Sequence, residues 1–324
     1  MSARVAPAAD PAANAEAATI LRNGGIVAFP TETVYGLGAN ALDVRAVARV
    51  FEAKARPSFD PLIVHLAGAG DLSTVGDGRD PRVARLAARF WPGQLTLVLP
   101  RRPAVPDLVT SGLDTVGVRV PDHPAAHALL AAAQVPVAAP SANLFGYVSP
   151  TTAAHVVEQL GDAVDLVLDG GPCRVGVEST VLSLAGGAPR LLRPGGVARE
   201  DLERALGVTL EVAPPAERPL APGQSLQHYA TRTPLGLLNG RPPDLTSPGR
   251  VGLLAFTPTP ARGYVAVEVL ATDGSPVTAA ARLFAALRRL DALGLELILA
   301  EPCPETGLGL AILDRLRRAA ARGA

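Results

Sequence analysis

Lysine is almost absent from this chain of 324 residues: Lys54 is the only lysine among its 30 lysine and arginine residues. The chain also has 30 aspartate and glutamate residues, so its formal net charge is zero. A protein that coats nucleic acid through its overall charge needs an excess of cations to displace counterions. The composition therefore excludes that class of protein, although it leaves room for a local basic groove.

Cysteine and long apolar runs are scarce as well. Cys173 and Cys303 each stand beside a proline, so the chain has no disulfide framework and no C-x-x-C metal site, as expected in a reducing cytoplasm. No apolar run approaches the roughly 18 residues that a membrane-spanning helix needs. Residues 1–10 lack the basic and apolar parts of a signal peptide. We expect a cytoplasmic protein that does not contact a membrane.

The common nucleotide-binding motifs are also missing. The sequence contains neither G-x-x-x-x-G-K-[ST] nor G-x-G-x-x-G, and it has no G-x-S-x-G elbow. A nucleotide that binds here must be held by a different set of residues.

The organisation of the chain indicates the α/β class and two domains. Up to residue 207, short apolar runs typical of strands alternate with helical stretches, in an order too irregular for a barrel. Two of the helices are predicted to start after the capping residues Asp10 and Asp43. A proline-rich stretch follows and predicts a linker. Beyond it, strands and helices in alternation predict a smaller α/β domain with parallel crossovers. The predicted boundaries are 12–207, 208–234 and 235–324.

Polar loops follow several predicted strands. Residues 30–38 follow the strand at 26–29, and residues 140–143 follow another strand. Open α/β sheets build their binding sites on such strand-terminal loops. Thr31 and Thr33 would serve equally well in hydrogen bonds within a turn, so this segment leaves both interpretations open.

Three cations stand out by their position. Lys54 and Arg56 end a predicted helix, where they could simply oppose its dipole. The arginine bias argues against that, because a surface charge tolerates arginine, whereas a compact ammonium is needed beside a crowded anion. Arg119 interrupts an apolar strand and needs an anionic partner, which either the protein or a ligand could supply.

The candidate residues suit the binding of a polyphosphate. The cations are accompanied by hydroxyls but by no paired carboxylates, Cys/His couple or metal cage, and the spacing of His123 and His127 is better explained by a helix surface than by zinc. Chemistry done by positioning a polyphosphate and offsetting its charge needs only such groups. The cations are Lys54, Arg56, Arg119 and Arg193, and the hydroxyls belong to Thr33, Ser141, Ser149 and Ser179.

Six motifs in order resemble the YrdC-like domain of the threonylcarbamoyl-AMP synthases, over residues 12–207. Residues 222–230 resemble, more weakly, the segment that joins this domain to an extra domain in the longer members. The resemblance implies a YrdC-like twisted, open mixed sheet with a large concave cavity, followed by a smaller Rossmann-like domain, with the linker covering the active site. The motifs are FPTETVYGLG at 29–38, K-x-RP at 54–57, PLIVH at 61–65, PSAN at 140–143, ESTV at 178–181 and LRPG at 192–195.

The resemblance also implies the reaction and its residues. The family makes threonylcarbamoyl-AMP and pyrophosphate from L-threonine, bicarbonate and ATP, with Mg²⁺ carried by the phosphates and held by no side-chain cage. The product passes to the tRNA threonylcarbamoyl transferase complex, for position 37 of tRNAs that read codons beginning with A. By motif, ATP would be held by Lys54, Arg56, Asp60, Thr115, Ser141, Asn143, Ser149, Arg193 and Tyr229, of which Lys54, Arg56, Ser141 and Asn143 would be catalytic. Threonine would be held by Thr33, His65, Arg119, Ala139 and Ser179.

The sequence departs from the family pattern at two places, and two alternative functions have to be considered. Asp60 stands where the family often has asparagine, and a carboxylate there would repel phosphate unless a metal intervened. The linker lacks the basic and aromatic residues often found before its His-Tyr pair. Carbamoyl transfer in hydrogenase maturation would require zinc knuckles and an acylphosphatase segment, which are missing. An RNA-binding module would require a stacking surface, whereas a transient contact with tRNA would not.

Overall fold

The computed structural model describes residues 3–214, 219–224, 228–246 and 249–321. The N-terminal domain contains strands β1 (Val5–Pro7), β2 (Val27–Phe29), β3 (Gly36–Asn40), β4 (Ile63–His65), β5 (Leu95–Pro100), β6 (Thr115–Arg119), β7 (Val137–Ala138), β8 (Leu166–Asp169), β9 (Thr180–Ser183) and β10 (Arg190–Arg193). Its helices are α1 (Pro11–Arg22), α2 (Val44–Ala53), α3 (Pro81–Phe90), α4 (Asp107–Thr110), α5 (Pro124–Ala133), α6 (Ala153–Leu160) and α7 (Arg199–Leu206), with short 3-10 turns at Ala69–Thr74 and Gly161–Ala163.

Side-chain caps fix where the predicted helices begin. Asp10 accepts a hydrogen bond from the Ala12 amide, and Asp43 accepts from the amides of Arg45 and Ala46. Such caps satisfy backbone donors that a helix cannot pair internally. The helices predicted to start after Asp10 and Asp43 therefore begin where the sequence indicates.

The strands of the N-terminal domain form a single mixed sheet in the order β1-β8-β2-β3-β7-β4-β6-β5-β9-β10, counted over the described residues. The sheet contains parallel pairs such as β4 with β6 and β5 with β9 and antiparallel pairs such as β2 with β3 and β5 with β6. This arrangement confirms the α/β class and the open mixed sheet.

The C-terminal domain is a smaller parallel sheet with helices. Its strands are β11 (Leu235–Leu237), β12 (Val251–Ala255), β13 (Ala266–Val269) and β14 (Leu297–Ala300), in the order β11-β14-β12-β13, and its helices are α8 (Pro276–Asp291) and α9 (Leu308–Ala320). Every adjacent pair of these strands is parallel. The predicted crossovers of the second domain are therefore confirmed.

Strand β3 is the main difference from the sequence-based prediction of a loop over residues 30–38, because it includes residues 36–38. The glycines that favoured a loop are required by close packing across the sheet. A Cβ added at Gly38 would lie 2.8 Å from the Phe29 ring and 2.8 Å from a Val137 methyl. Gly36 and Gly38 leave one face of the strand without side chains, so Phe29 and Val137 can approach it closely.

The two domains share one apolar cluster. Val34, Val148 and Val177 of the N-terminal domain pack with residues of α8 and α9, including Phe284 and Ile312. The domains are therefore joined by a continuous core as well as by the linker.

Gly176 shows how closely the domains approach each other. Its φ is +77°, and an added Cβ would lie 2.3 Å from the Ala280 carbonyl oxygen of α8. We expect Gly176→Ala to lower the free energy of unfolding by at least about 2 kcal/mol more than Gly112→Ala, because overpacking adds to backbone strain. Gly112 is the matched control, since its φ is +74° and nothing lies within 4 Å of its added Cβ. Urea denaturation measures both losses, and equal losses would show that the domains do not meet tightly here.

Candidate active site

One cavity lies where strand ends of the N-terminal sheet meet the linker. Its walls come from the segments after β2 and β7, from β4 and β6, from the residues before β9 and at the end of β10, and from linker residues. It is lined by Thr31, Thr33, Val34, Gly36, Arg56, Ile63, His65, Arg119, Ala139, Pro140, Ser141, Glu178, Ser179, Arg193, Pro222, Gly223, His228 and Tyr229. Nine of the residues singled out from the sequence are therefore brought together: Thr33, Arg56, His65, Arg119, Ala139, Ser141, Ser179, Arg193 and Tyr229.

The buried charges in and around this cavity do not balance. Buried cations outnumber buried carboxylates by five to three: Lys54, Arg56, Arg119, Arg193 and Arg315 against Glu32, Asp60 and Glu178. Each carboxylate lies beside one arginine, in the pairs Arg56–Asp60, Arg119–Glu32 and Arg315–Glu178. Within the described residues, Lys54 and Arg193 have no carboxylate within ion-pair distance. Two buried cations therefore lack an anionic partner, which is costly unless a ligand supplies one.

Lys54 ends α2 and is fixed by backbone carbonyls. Its ammonium donates to the carbonyl oxygens of Ser141 and Asn143, so it ties the end of α2 to the loop after β7. Burial lowers the pKa of Lys54 well below its usual value, and Arg56 lowers it further, whereas Asp60 acts in the opposite direction. An anion bound nearby would restore the charge of this ammonium.

Arg56 and Asp60 form a buried pair, four residues apart in the loop after α2. Arg56 Nη2 is 3.0 Å from Asp60 Oδ2, but the angle is not that of a hydrogen bond, and neither Asp60 oxygen is hydrogen-bonded within the described residues. Arg56 donates instead to the carbonyls of Asp60 and Pro61 at 3.0 and 2.9 Å. Burial raises the pKa of the Asp60 carboxyl despite the nearby Arg56. Asp60 thus lies behind Arg56, outside the cavity lining.

Arg119 has its anionic partner within the protein. Its guanidinium donates to Glu32, to Thr33 Oγ1 at 2.9 Å and to the Gly93 carbonyl at 3.1 Å. The sequence leaves open whether the partner is protein or ligand, and the fold supplies Glu32, a residue of the motif at 29–38 for which the sequence predicts no role. Arg119 therefore reaches a ligand carboxylate only while it also neutralises Glu32.

The other residues predicted to hold threonine lie around Arg119. Thr33 Oγ1 is hydrogen-bonded to Thr31 Oγ1 at 2.8 Å, and Ser179 Oγ to Thr96 Oγ1 at 2.8 Å. His65 lies in β4, where burial and the nearby Arg119 lower its pKa to about 3. It is therefore a neutral imidazole at physiological pH and a weak base.

Arg193 and the linker close the cavity. Arg193 donates to the carbonyl of Ser179 at 2.9 Å and to that of Pro222 at 3.0 Å. Tyr229 is fully buried, and its hydroxyl has no hydrogen-bond partner among the residues that the structure describes. Burial raises the pKa of Tyr229 to about 12, so this hydroxyl is a donor. Residues 225–227, which fall within the predicted capping segment, lie outside the described residues.

The whole cluster of cations affects the pKa of the linker residue His228. Burial lowers the pKa of His228 well below its usual value, and Arg56, Lys54, Arg193 and Arg315 lower it further. Four cations acting on one imidazole indicate a positive potential throughout this part of the cavity.

Four predicted residues, including Asp60 behind Arg56, lie one contact behind the cavity, and one lies further away. Lys54 and Asn143 underlie Ser141, and Ser149 donates to Glu178 Oε1 at 2.5 Å. Thr115 begins β6, at the opposite end from Arg119, and is not a lining residue. Its predicted contact with ATP stays a prediction.

Arg315 is the residue that sequence reasoning missed entirely. It lies in α9 of the C-terminal domain, is fully buried and bonds Glu178 through Nε and Nη2, at 3.0 Å each. The sequence shows only an arginine within the apolar pattern of a helix. That pattern does not identify a partner more than 100 residues away.

The fold and the cavity define a two-domain α/β protein with a cationic ligand site at the domain boundary. Within the described residues, no helix combines the length and apolar character that crossing a membrane requires.

Comparison with known proteins gives the family. Residues 19–195 match the Sua5, YciO and YrdC family model, described as telomere recombination, and residues 197–321 match the model of the threonylcarbamoyl-AMP synthase C-terminal domain. Curated threonylcarbamoyl-AMP synthases of Bacillus subtilis (strain 168) and Pyrococcus abyssi (strain GE5 / Orsay) are 44% and 43% identical, and each match covers 94% of this chain and 92% of the relative. The crystal structure of P. abyssi Sua5 complexed with L-threonine matches with a TM-score of 0.90 and 39% identity, over 98% of this chain and 97% of that one. The chain belongs to the threonylcarbamoyl-AMP synthase family, in its two-domain form.

The pair of Arg119 and Glu32 allows a test by double-mutant cycle. We expect Arg119→Met alone to lower the free energy of unfolding by about 3–5 kcal/mol, because it leaves the Glu32 carboxylate buried without a partner. Adding Glu32→Leu should recover much of that loss, since two apolar side chains replace the pair. Urea denaturation of both single variants and the double variant measures the coupling. Additive losses would mean that Glu32 is not the partner of Arg119.

Proposed function

We propose that this chain is a nucleotidyltransferase that makes threonylcarbamoyl-AMP and pyrophosphate from L-threonine, bicarbonate and ATP. The observation that carries the proposal is the presence of two buried cations, Lys54 and Arg193, without carboxylate partners beside a cavity. A triphosphate supplies the missing negative charge, and family membership agrees with this chemistry. The compound would then serve modification of adenosine 37 in tRNA, through a separate transferase complex.

The reaction balances without a covalent enzyme intermediate. The threonine amine and bicarbonate give the N-carboxylate and water. A carboxylate oxygen then attacks the α-phosphorus, and the bond to pyrophosphate breaks with its electron pair on the leaving oxygen. Positioning and charge neutralisation are what the protein must supply for such a displacement. On this proposal Arg56, Arg193 and the Tyr229 hydroxyl would face the phosphates, while Thr33, Arg119 and Ser179 would face threonine, since all six residues line the cavity.

Mg²⁺ would enter with the phosphates of ATP. The described residues contain no group of three or more His, Cys, Asp or Glu side chains that could hold a metal ion by itself. A Mg²⁺ ion bound to nucleotide needs only one or two carboxylates from the protein, and Asp60 has unbonded oxygens beside Arg56. Such an ion would neutralise part of the triphosphate charge.

The linker must move when substrates enter. The cavity has a volume of only about 50 Å³ with Gly223, His228 and Tyr229 among its walls. Sites for drug-sized ligands enclose roughly 300–1,000 Å³. We therefore place ATP binding before closure of the linker, and closure then shields the labile acyl phosphate from water.

Lys54 tests the proposal directly. We expect Lys54→Ala to lower threonine-dependent pyrophosphate release by roughly 10²-fold or more, because the positive charge opposite the phosphates and the bonds to two carbonyls are both lost. Lys54→Arg should also be strongly impaired, since this position is fully buried and the larger guanidinium would overpack it. Circular dichroism confirms folding, and Arg79→Ala, at an exposed position, is the control.

Two outcomes would contradict these expectations. Near-normal turnover of Lys54→Arg would show that a compact ammonium is not required. Pyrophosphate release by the wild-type protein that does not depend on threonine and bicarbonate would sink the synthase assignment.

The depressed pKa of Lys54 predicts a pH dependence of ATP binding. The empty protein holds the Lys54 pKa below its usual value, and bound phosphates raise it, so binding takes up a proton. ATP affinity should therefore fall as pH rises from the pKa of the empty protein to that of the complex. Above about pH 7.5 the phosphates are already ionised and do not contribute. Calorimetry with a non-hydrolysable ATP analogue in two buffers of different ionisation enthalpy measures the proton uptake. Lys54→Ala should lose it.

A further inference from the structure

Arg315 is the residue through which the C-terminal domain contacts the wall of the active-site cavity. It is fully buried, although it belongs to α9, a helix whose other arginines include the exposed Arg317. A buried guanidinium has to be compensated by several acceptors, and most of those of Arg315 lie outside its own domain. Its contacts therefore show what the second domain does at the site.

The first contact neutralises Glu178. Nε and Nη2 of Arg315 both bond Glu178 Oε2 at 3.0 Å, while Glu178 Oε1 accepts from Ser149 Oγ at 2.5 Å. Glu178 lines the cavity, where a free carboxylate would repel a polyphosphate. Despite its burial, Arg315 and then Arg193 hold the pKa of Glu178 below its usual value, so this carboxylate stays charged and paired.

The remaining contacts reach two more walls of the cavity. Nη1 of Arg315 donates to the Pro194 carbonyl at 2.7 Å, directly after Arg193, and to Asp314 Oδ2 at 3.0 Å. The guanidinium also lies over the Tyr229 ring, 5.0 Å from its centroid, and Tyr229 stacks on Phe284 of α8 at 5.7 Å. One side chain thus contacts the segment before β9, the end of β10 and the linker.

We propose that Arg315 is a positioning residue for the ATP side of the site, and that the C-terminal domain completes the cavity through it. Arg315 keeps Glu178 away from Arg193, and so leaves the Arg193 guanidinium free for a phosphate. It also holds the Tyr229 ring where its hydroxyl meets the same space. The proposal rests on the proposed function for its substrate, ATP.

Loss of Arg315 has a consequence that loss of packing alone does not. Without it, the cation that acts most strongly on the Glu178 carboxylate is Arg193, which donates to the carbonyl of the adjacent Ser179. Glu178 then pairs with Arg193 and competes with the phosphates for it. The defect is therefore electrostatic and should disappear when the charge of Glu178 is also removed.

The test compares Arg315→Met with a double variant, Arg315→Met with Glu178→Gln, in the full chain. We expect Arg315→Met to raise the KM for ATP by about tenfold or more and to change kcat by less than about threefold. The double variant should bring the KM back to within about threefold of wild type, because glutamine still accepts from Ser149 but carries no charge. Arg317→Met, on the same helix, is the control and should behave as wild type.

Each result bears on the proposal. A raised KM that the second substitution does not correct would overturn it, since a merely structural role predicts that outcome. An unchanged KM in Arg315→Met would overturn it as well. If Arg315→Met does not fold, the double variant still decides, because replacing both members of a buried pair is tolerated better than replacing one. Arg315→Lys keeps the positive charge but loses the paired Nε and Nη2 donors, so it should give an intermediate KM. A wild-type KM in this variant would also count against the proposal.

Calorimetric binding of a non-hydrolysable ATP analogue separates this proposal from the proposed function. If the wild-type protein binds the analogue but makes no threonine-dependent pyrophosphate, the proposed function fails and Arg315 is judged on binding alone. If the wild-type protein is active and Arg315→Met binds the analogue as tightly, only the role of Arg315 fails. A wild-type protein that binds no analogue overturns both.

Discussion

The structure depends on burying more positive than negative charge at one place. A buried guanidinium or ammonium without a partner is costly, and the fold meets most of that cost internally through three arginine–carboxylate pairs. It leaves Lys54 and Arg193 to backbone carbonyls, which solvate a cation without cancelling its charge. That remaining charge suits a triphosphate, and it explains why a chain of zero net charge can still be a strong local anion binder.

The same constraint explains why the site lies between two domains. The mixed sheet brings several strand ends to one edge, but it does not by itself neutralise Glu178 or close the cavity. The linker supplies Tyr229, and α9 supplies Arg315. The apolar cluster shared by the two domains packs beside this buried polar network. At the lower dielectric constant of a protein interior, a hydrogen bond is electrostatically stronger than at the surface.

The sequence predicts most of what is local. Helix starts follow from Asp10 and Asp43, the α/β class follows from the alternation of apolar runs, and nine of the predicted site residues line one cavity. The sequence does not predict strand β3, because glycines in a local pattern usually indicate a turn. Here the glycines are required by close packing across the sheet. Glu32 as the partner of Arg119 and Arg315 as the partner of Glu178 were missed for another reason. Such pairs are fixed by the tertiary fold, and no spacing in the chain encodes them.

The single lysine now has a more specific explanation. Lys54 does not line the closed cavity but lies behind it, joined to the carbonyls of Ser141 and Asn143. A guanidinium is larger than an ammonium and, at this fully buried position, would have to displace packed neighbours. A compact ammonium fits, and its charge still acts on the cavity, as the effect on His228 indicates. Replacement of lysine by arginine elsewhere in the chain is tolerated because surface charges have no such limit on shape.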